Sequence, residues 1–262
     1  MRKRHLATMC VAAVGATALL SVCSEEIKAP AESKSGYTFA QPETKAMQDD
    51  DFVNPGMLVM SVGEAEWSKV AGKAGKSCAS CHGDAKEMRG VAATYPKYDP
   101  VTKKPLNLEL RINACRTRNM QADAYKFESP EFLGITTYVK YQSRGMPINV
   151  KVDGEMAPFF AKGKEFYYQR RGLLDLACKH CHEDGEGKNI RANLLSQGHI
   201  NGFPTYRLKW QKVGSLHRRL RGCNSQVRSE PYGFGSDEFV NLEVFLSWRS
   251  RGLPIETPSV RN

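Results

Sequence analysis

The sequence predicts an all-α fold built as two tandem repeats, and three observations carry that expectation. A five-residue motif occurs twice, as Cys78-Ala79-Ser80-Cys81-His82 and Cys178-Lys179-His180-Cys181-His182, at an offset of 100 residues. Residues around it recur as well. Gly63, Trp67 and Gly72 match Gly163, Tyr167 and Gly172 at the same offset, and Arg144-Gly145-Met146-Pro147-Ile148 matches Arg251-Gly252-Leu253-Pro254-Ile255 at an offset of 107. Finally, Phe132, Ile135 and Val139, and likewise Phe239, Leu242 and Phe245, recur at helical spacing. Self-similarity on this scale reads as a tandem duplication.

In chain order, the first 23 residues carry Arg2, Lys3 and Arg4, then an apolar run from Leu6 to Val22. That is the pattern of a secretory signal peptide, so the protein is expected to be exported. Leu20-Ser21-Val22-Cys23 is close to a lipoprotein cleavage site, but Val22 is large for that position, and cleavage without lipidation is the preferred reading. Removing the signal lowers the formal charge from +10 to about +7. An exported chain of that charge meets anions or acidic proteins rather than nucleic acid, and no other run is long enough for a membrane span. Residues 24–51, rich in Ser, Lys, Glu and Pro, read as a flexible leader. A first repeat follows over 52–152 and a second over 153–262, with the polar turn at Asp153-Gly154 as boundary.

Each repeat reads as helix, motif, long loop, helix. Ser129, with Pro130 after it, and Ser236 are candidate N-caps of the closing helices. Gly145 and Gly252 suit the left-handed residue that ends a helix, and Pro147 and Pro254 prevent continuation.

C-x-x-C-H is the attachment signature of c-type haem. Two thiols add to the macrocycle, and the adjacent histidine reaches the iron. Zinc is the competing reading, with the two motifs pooling ligands, but the export signal, the repeat and the helical flanks favour haem. The expectation is two covalently bound haems, one through Cys78 and Cys81 with His82 as ligand, the other through Cys178 and Cys181 with His182. Two tandem cytochrome c-like domains with long haem-wrapping loops is the resulting fold. His180 lies inside its motif as a spectator.

The ligand on the far side of each iron sets the chemistry, because axial-ligand identity moves haem potential widely. The second repeat has no methionine after Met156 and offers Cys223, His199, His217, Lys209 and Lys212. The first offers Met88, Met120, Met146 and Cys115, and Met146 has Leu253 as its repeat partner. Only a cysteine occurs in both repeats, Cys115 and Cys223 lying at an offset of 108. A disulfide between them is one reading in an exported protein. The preferred one is a free thiol per haem, giving His82/Cys115 and His182/Cys223. Arg219 precedes Cys223 by four residues, as Arg111 precedes Cys115, which on a helix places guanidinium and sulfur on one face. Arg218, Arg221 and Arg228 are expected to add positive field, making an anion site at Cys223.

These residues resemble the SoxA family, cytochrome subunits of periplasmic thiosulfate-oxidising complexes. The resemblance covers nearly all the mature chain. It rests on both C-x-x-C-H motifs, Cys115 and Cys223, the Arg219-x-x-x-Cys223 spacing, and the Phe-rich final helix ending at Arg251-Gly252. It implies an L-cysteine S-thiosulfotransferase that joins thiosulfate oxidatively to a cysteine on the swinging arm of a SoxYZ-like carrier protein. A SoxX-like monohaem cytochrome would be the heterodimeric partner that receives the electrons. The catalytic position falls on Cys223 and the substrate-binding arginine on Arg219, with the first haem accessory. Asn224 after Cys223, where the first repeat has Arg116, leaves open which cations line the channel. Two other classes remain at this point: a dihaem electron shuttle, and a thiosulfate dehydrogenase that makes tetrathionate.

Overall fold

The computed structural model describes residues 32–262. The signal sequence, Cys10, Cys23 and the start of the leader lie outside the described residues. The helices and strands, in chain order, are α1 (Pro42–Asp49), α2 (Met60–Ser68), α3 (Cys78–His82), β1 (Lys97–Asp99), β2 (Lys104–Leu106), α4 (Leu108–Cys115) and α5 (Pro130–Tyr141). Then come α6 (Ala157–Tyr168), α7 (Cys178–His182), β3 (Asn189–Ile190), β4 (Asn193–Leu194), β5 (Thr205–Arg207), β6 (Lys212–Gly214), α8 (Leu216–Gln226), α9 (Asp237–Arg249) and β7 (Ser259–Arg261). The chain is mainly helical. The strands that the all-α expectation omitted are two or three residues long, too short to show a period of two in the sequence.

Each repeat packs its first helix across its last, α2 on α5 and α6 on α9. The crossing explains one pair of matched glycines. A Cβ on Gly63 would come within 2.3 Å of the Gly134 carbonyl oxygen, and one on Gly163 within 1.9 Å of that of Asn241. The closing helices are capped by Ser129 and Ser236, whose hydroxyls accept from the amides of Phe132 and Phe239. Phe132, Ile135 and Val139 lie in one apolar cluster, and Phe239, Leu242 and Phe245 in another. Gly145 and Gly252 end their helices with φ of +81° and +85°.

The repeats meet through their own equivalent segments. Gly145 and Ile148 donate backbone hydrogen bonds to Ile255 and Leu253, while Gly252 and Ile255 donate to Ile148 and Met146. Pro147 faces Pro254 across this ladder, and Ile255 belongs to the first cluster. The junction therefore has a local two-fold character, which the matched Arg-Gly-x-Pro-Ile segments encode.

Between motif and closing helix, the predicted loop is an ordered unit in both repeats: a two-stranded hairpin, then a helix carrying the spare cysteine. Asp99 pairs with Lys104 in the first hairpin, and Arg207 with Lys212 in the second. Asn107 and Ser215 cap the helices that follow. In the first repeat α4 passes at Cys115 into a π-helical turn, Arg116–Met120. The repeat offset drops from 108 to 107 after the cysteine. One extra residue in a helix is what a π turn absorbs.

The leader needs correction. In its described part, a 3-10 turn (Gly36–Phe39) and α1 dock on the second repeat. The Val260 amide donates to Gln48 Oε1 at 3.1 Å, and the Lys34 amide to Gln197 Oε1 at 2.7 Å. Polar long-range hydrogen bonds hold this segment, so its composition read as linker. No helix among the described residues is long and apolar enough to cross a membrane.

Candidate functional site

In the second repeat α7 is a single turn that starts at Cys178 and ends at His182. Cys178 packs against the second apolar cluster. Burial, then the neighbouring Cys223, pushes its thiol up to about 12. His180 caps the turn rather than idling, its Nδ1 accepting from the Ala177 amide at 2.9 Å. His182 Nδ1 donates to the Ser196 carbonyl at 2.7 Å, which fixes the tautomer and leaves Nε2 as the free donor atom for a metal. Gly198, at φ +74°, makes room for this ring: a Cβ there would sit 2.8 Å from it. Glu183, next in sequence, pairs with the buried Arg249 of α9 and accepts from Tyr168 Oη at 3.1 Å.

α8 brings the other half of the site. Ser215 caps it by accepting from the Arg218 amide, and Arg219 and Cys223 lie one turn apart on the same face. Burial pushes the Cys223 thiol up. The Arg219 charge, a hydrogen bond with His182, the His182 charge and Arg207 together outweigh that and bring it down to about 7. Gly172, in the loop before α7, has φ +66°, and a Cβ there would meet the Val227 carbonyl at 2.1 Å. The motif loop is thus seated on the end of the cysteine-bearing helix, with Leu173 and Leu174 amides donating to the Arg228 and Val227 carbonyls.

The expected cluster of arginines resolves differently. Arg218 pairs with Glu128 at 3.4 Å and stacks on Trp210. Arg221 binds the Tyr232 carbonyl and lies over Phe234. Arg228 is exposed at the end of α8. Besides His182, the charges that act on Cys223 come from Arg219 and from Arg207 of β5, which sequence reasoning missed. Its only sequence signal is the alignment of the two hairpins, which places it opposite Asp99.

The competing iron ligands are committed elsewhere. His199, 7% exposed, engages Gln197 Oε1 at 2.9 Å and Ser250 Oγ at 3.3 Å. His217, 2% exposed, contacts Glu243 at 3.2 Å and accepts from the Gly235 amide at 3.0 Å. Both rings have both nitrogens occupied. Lys209 and Lys212 are exposed.

The first repeat repeats the frame with different edges. α3 spans Cys78 to His82 and is held by a reciprocal Ser77/Ser80 capping box. Burial, then Cys115, pushes the Cys78 thiol up, with Arg116 opposing. His82 is exposed, with its ring 6.0 Å from that of Trp67, whose Nε1 donates to the Gly83 carbonyl at 3.1 Å. A Cβ on Gly72 would meet the Met120 carbonyl at 2.1 Å, the counterpart of the Gly172 contact. Arg116 is spent on the Asp123 carbonyl and the Tyr125 ring. Met146 packs on Gly90. All six described cysteines are free thiols, Cys115 and Cys223 included.

The donor set fits haem. In both repeats two free thiols stand three residues apart on one helical turn against an apolar cluster, followed by an imidazole. In the second, that imidazole has Nε2 free and a thiol of lowered pKa within hydrogen-bonding reach. Comparison with known proteins agrees. The SoxA/TsdA cytochrome c domain matches residues 62–148 and 162–255. The chain is 49% identical over 232 residues to the L-cysteine S-thiosulfotransferase subunit SoxA of Pseudaminobacter salicylatoxidans, covering 88% of this chain and 81% of that one. It is 42% identical over 228 residues to the subunit of that name from Paracoccus pantotrophus, covering 87% and 79%. The crystal structure of SoxXA from P. pantotrophus superposes with a TM-score of 0.84 at 41% identity, covering 88% of this chain and 87% of that chain.

Proposed function

This chain belongs to the SoxA family, and on that footing we propose how its two repeats divide the work of an L-cysteine S-thiosulfotransferase subunit that binds c-type haem. The second repeat, residues 153–262, is the catalytic unit, and the first, residues 52–152, is accessory. One observation carries the reading: Arg219 and His182 converge on Cys223 while His199 and His217 are held by other partners.

Cys78 and Cys81 hold one haem, with His82 and Cys115 as iron ligands. Cys178 and Cys181 hold the other, with His182 and Cys223. A haem so bound supplies a one-electron acceptor whose thiolate ligand lowers its potential. Arg219 holds the sulfonate end of thiosulfate by charge-assisted hydrogen bonds. The Cys223 thiolate bonds to the outer sulfur, and the two electrons released need two one-electron acceptors, which the haem of this repeat and that of the partner cytochrome would supply. A carrier thiolate then attacks that sulfur and displaces Cys223 by thiol–disulfide exchange. In sum, one S–S bond forms between the carrier and thiosulfate, one carrier S–H bond breaks, and one proton and two electrons leave. A SoxX-like monohaem cytochrome in a heterodimer takes the electrons onward, and a SoxYZ-like protein is the carrier. The basic, apolar N-terminal sequence supports a periplasmic location.

The test is the fate of sulfur. Oxidised complex, thiosulfate and carrier are mixed, and the carrier mass and free products are measured. Thiosulfate joined to a carrier cysteine is the expected result. Free tetrathionate with an unmodified carrier would replace this reading with that of a dehydrogenase, and haem reduction without sulfur products would leave an electron shuttle.

A further inference from the structure

The two hairpins that precede the cysteine-bearing helices have matching strand bounds and pairing registers, which makes single differences between them informative. In both, the last residue of the first strand pairs with a lysine that opens the second strand. In both, the residue before that lysine has positive φ, Lys103 at +55° and Gln211 at +52°. A polar N-cap and a helix bearing Arg-x-x-x-Cys follow. At the end of the first strand, however, the first repeat has Asp99 and the second has Arg207. A carboxylate has been exchanged for a guanidinium at the position that flanks the arginine and the cysteine.

We propose that Arg207 is the second cation of the anion site at Cys223, and that the Asp99/Arg207 exchange decides which repeat takes up thiosulfate. This deepens the thiosulfate reading above and rests on it.

Arg207 is half-buried and braced on two sides. Its Nε donates to the Asn262 carbonyl at 2.7 Å, one terminal nitrogen binds the same oxygen, and the guanidinium lies 5.1 Å over the Trp210 ring. The other terminal nitrogen has no partner among the described residues. Arg219 likewise has no side-chain hydrogen bond or ion pair among them. Burial and repulsion from Arg219 lower the Arg207 pKa to about 10, with Cys223 opposing, so the group stays charged at neutral pH. Two part-buried guanidinium groups act electrostatically on the one Cys223 sulfur, and together they carry more positive charge than a single thiolate returns. A small dianion of two linked centres supplies the balance, with its sulfonate taken by charge-assisted donors and its outer sulfur left toward Cys223.

The first repeat carries less net positive charge. Asp99 is buried, accepts a two-pronged contact from Arg118 at 2.8 and 3.0 Å, and accepts two more hydrogen bonds from Thr102. The Arg118 fork holds its carboxyl well below the usual carboxylate range, so it is permanently negative at neutral pH. Asp99, Arg111 and Cys115 all act on Tyr95, so the carboxylate shares their neighbourhood. An arriving dianion meets Arg111 and a guanidinium already neutralised by its carboxylate, one net positive charge fewer than the two cations offer in the second repeat.

The experiment uses the haem-loaded complex with its partner cytochrome and carrier, and compares Arg207→Gln, Arg207→Lys and Cys223→Ser by steady-state kinetics in thiosulfate. Arg207→Gln is expected to raise the KM for thiosulfate by about one to two orders of magnitude, the loss of one charge-assisted contact. kcat, the KM for carrier and the haem spectrum should be little changed, since binding rather than chemistry is removed. Arg207→Lys keeps the charge but loses the fork on Asn262, and should recover most of the thiosulfate affinity. If Lys fails as badly as Gln, Arg207 acts by anchoring the C-terminal strand and the inference is overturned. An unchanged KM in Arg207→Gln, with Cys223→Ser inactive, overturns it while leaving the thiosulfate reading intact. Full activity in Cys223→Ser sinks both.

Discussion

Both repeats seat a C-x-x-C-H turn on the end of a cysteine-bearing helix, and both do it with a glycine in the left-handed region whose Cβ would strike a carbonyl at 2.1 Å. Around the cysteine they part. In the second repeat α8 runs on past Cys223, His182 is locked by Ser196, and two arginines act on the sulfur. In the first, the helix changes to a π turn at Cys115, His82 stands exposed beside Trp67, and the hairpin contributes Asp99. A shared cytochrome c scaffold therefore does not make two equal sites. Scaffold residues are duplicated, whereas the charges around the spare cysteine come from strand ends and helix faces that have diverged.

The largest expected contrast is between the two cysteines. Cys223→Ser should lower thiosulfate-dependent turnover by more than about two orders of magnitude, because it removes the sulfur that bonds to substrate. Cys115→Ser should change the spectrum of the first haem and cost far less rate. Equal losses would erase the asymmetry. Next come the paired arginines. Arg219→Ala removes a charge-assisted contact to the anion, about 1.5–3 kcal/mol, and should reduce kcat/KM by about one to two orders of magnitude. Arg111→Ala, one repeat earlier, should leave kcat/KM nearly unchanged.

A third pair tests the scaffold, where the repeats should behave alike. Gly63→Ala and Gly163→Ala both drive a methyl group into a facing helix backbone. Each should cost about 1–3 kcal/mol, read in denaturant unfolding. A large cost at one site only would mean that the helix crossings are not equivalent.

The smallest effect concerns the junction, where the equivalent positions Glu109 and His217 come near each other beside Glu243 and Lys140. Burial, then repulsion from Glu243, pushes the Glu109 carboxyl up to about 7, with Lys140 and His217 pulling the other way. A raised carboxyl favours the neutral form in the fold, so its contribution is complete at low pH. It is lost as pH rises from the unfolded value of 4.5 through about 7. Glu109→Gln should therefore flatten the decline in Tm between about pH 5 and pH 8. An unchanged slope would show that Glu109 keeps its charge through pairing with Lys140.

Much of this division was legible in the sequence. The motifs marked the paired thiols of α3 and α7, the serine caps and glycine stops bounded α5 and α9, and helical spacing put Arg219 and Cys223 on one face. What escaped notice depends on tertiary contact. Arg207 stands 16 residues before Cys223 on a three-residue strand, with no local pattern to mark it, and only the fold brings it to the sulfur. Arg218 and Arg221 looked equivalent to Arg219 in the sequence, yet they point to Glu128 and the Tyr232 carbonyl. The leader misled for a related reason. Its polar side chains, Gln48 among them, are satisfied by the distant β7, and composition alone cannot distinguish such a segment from a linker. His199 and His217 remained open as ligands until their hydrogen-bond partners were visible.

The central claim, that sulfur chemistry belongs to the second repeat, is tested most directly by locating the sulfur. Haem-loaded oxidised complex is given thiosulfate without carrier, quenched, and mapped by peptide mass spectrometry at the two spare cysteines. Added sulfur is expected on the peptide containing Cys223 and none on that containing Cys115. Sulfur on Cys115, or on neither cysteine while the complex still conjugates added carrier, would contradict it.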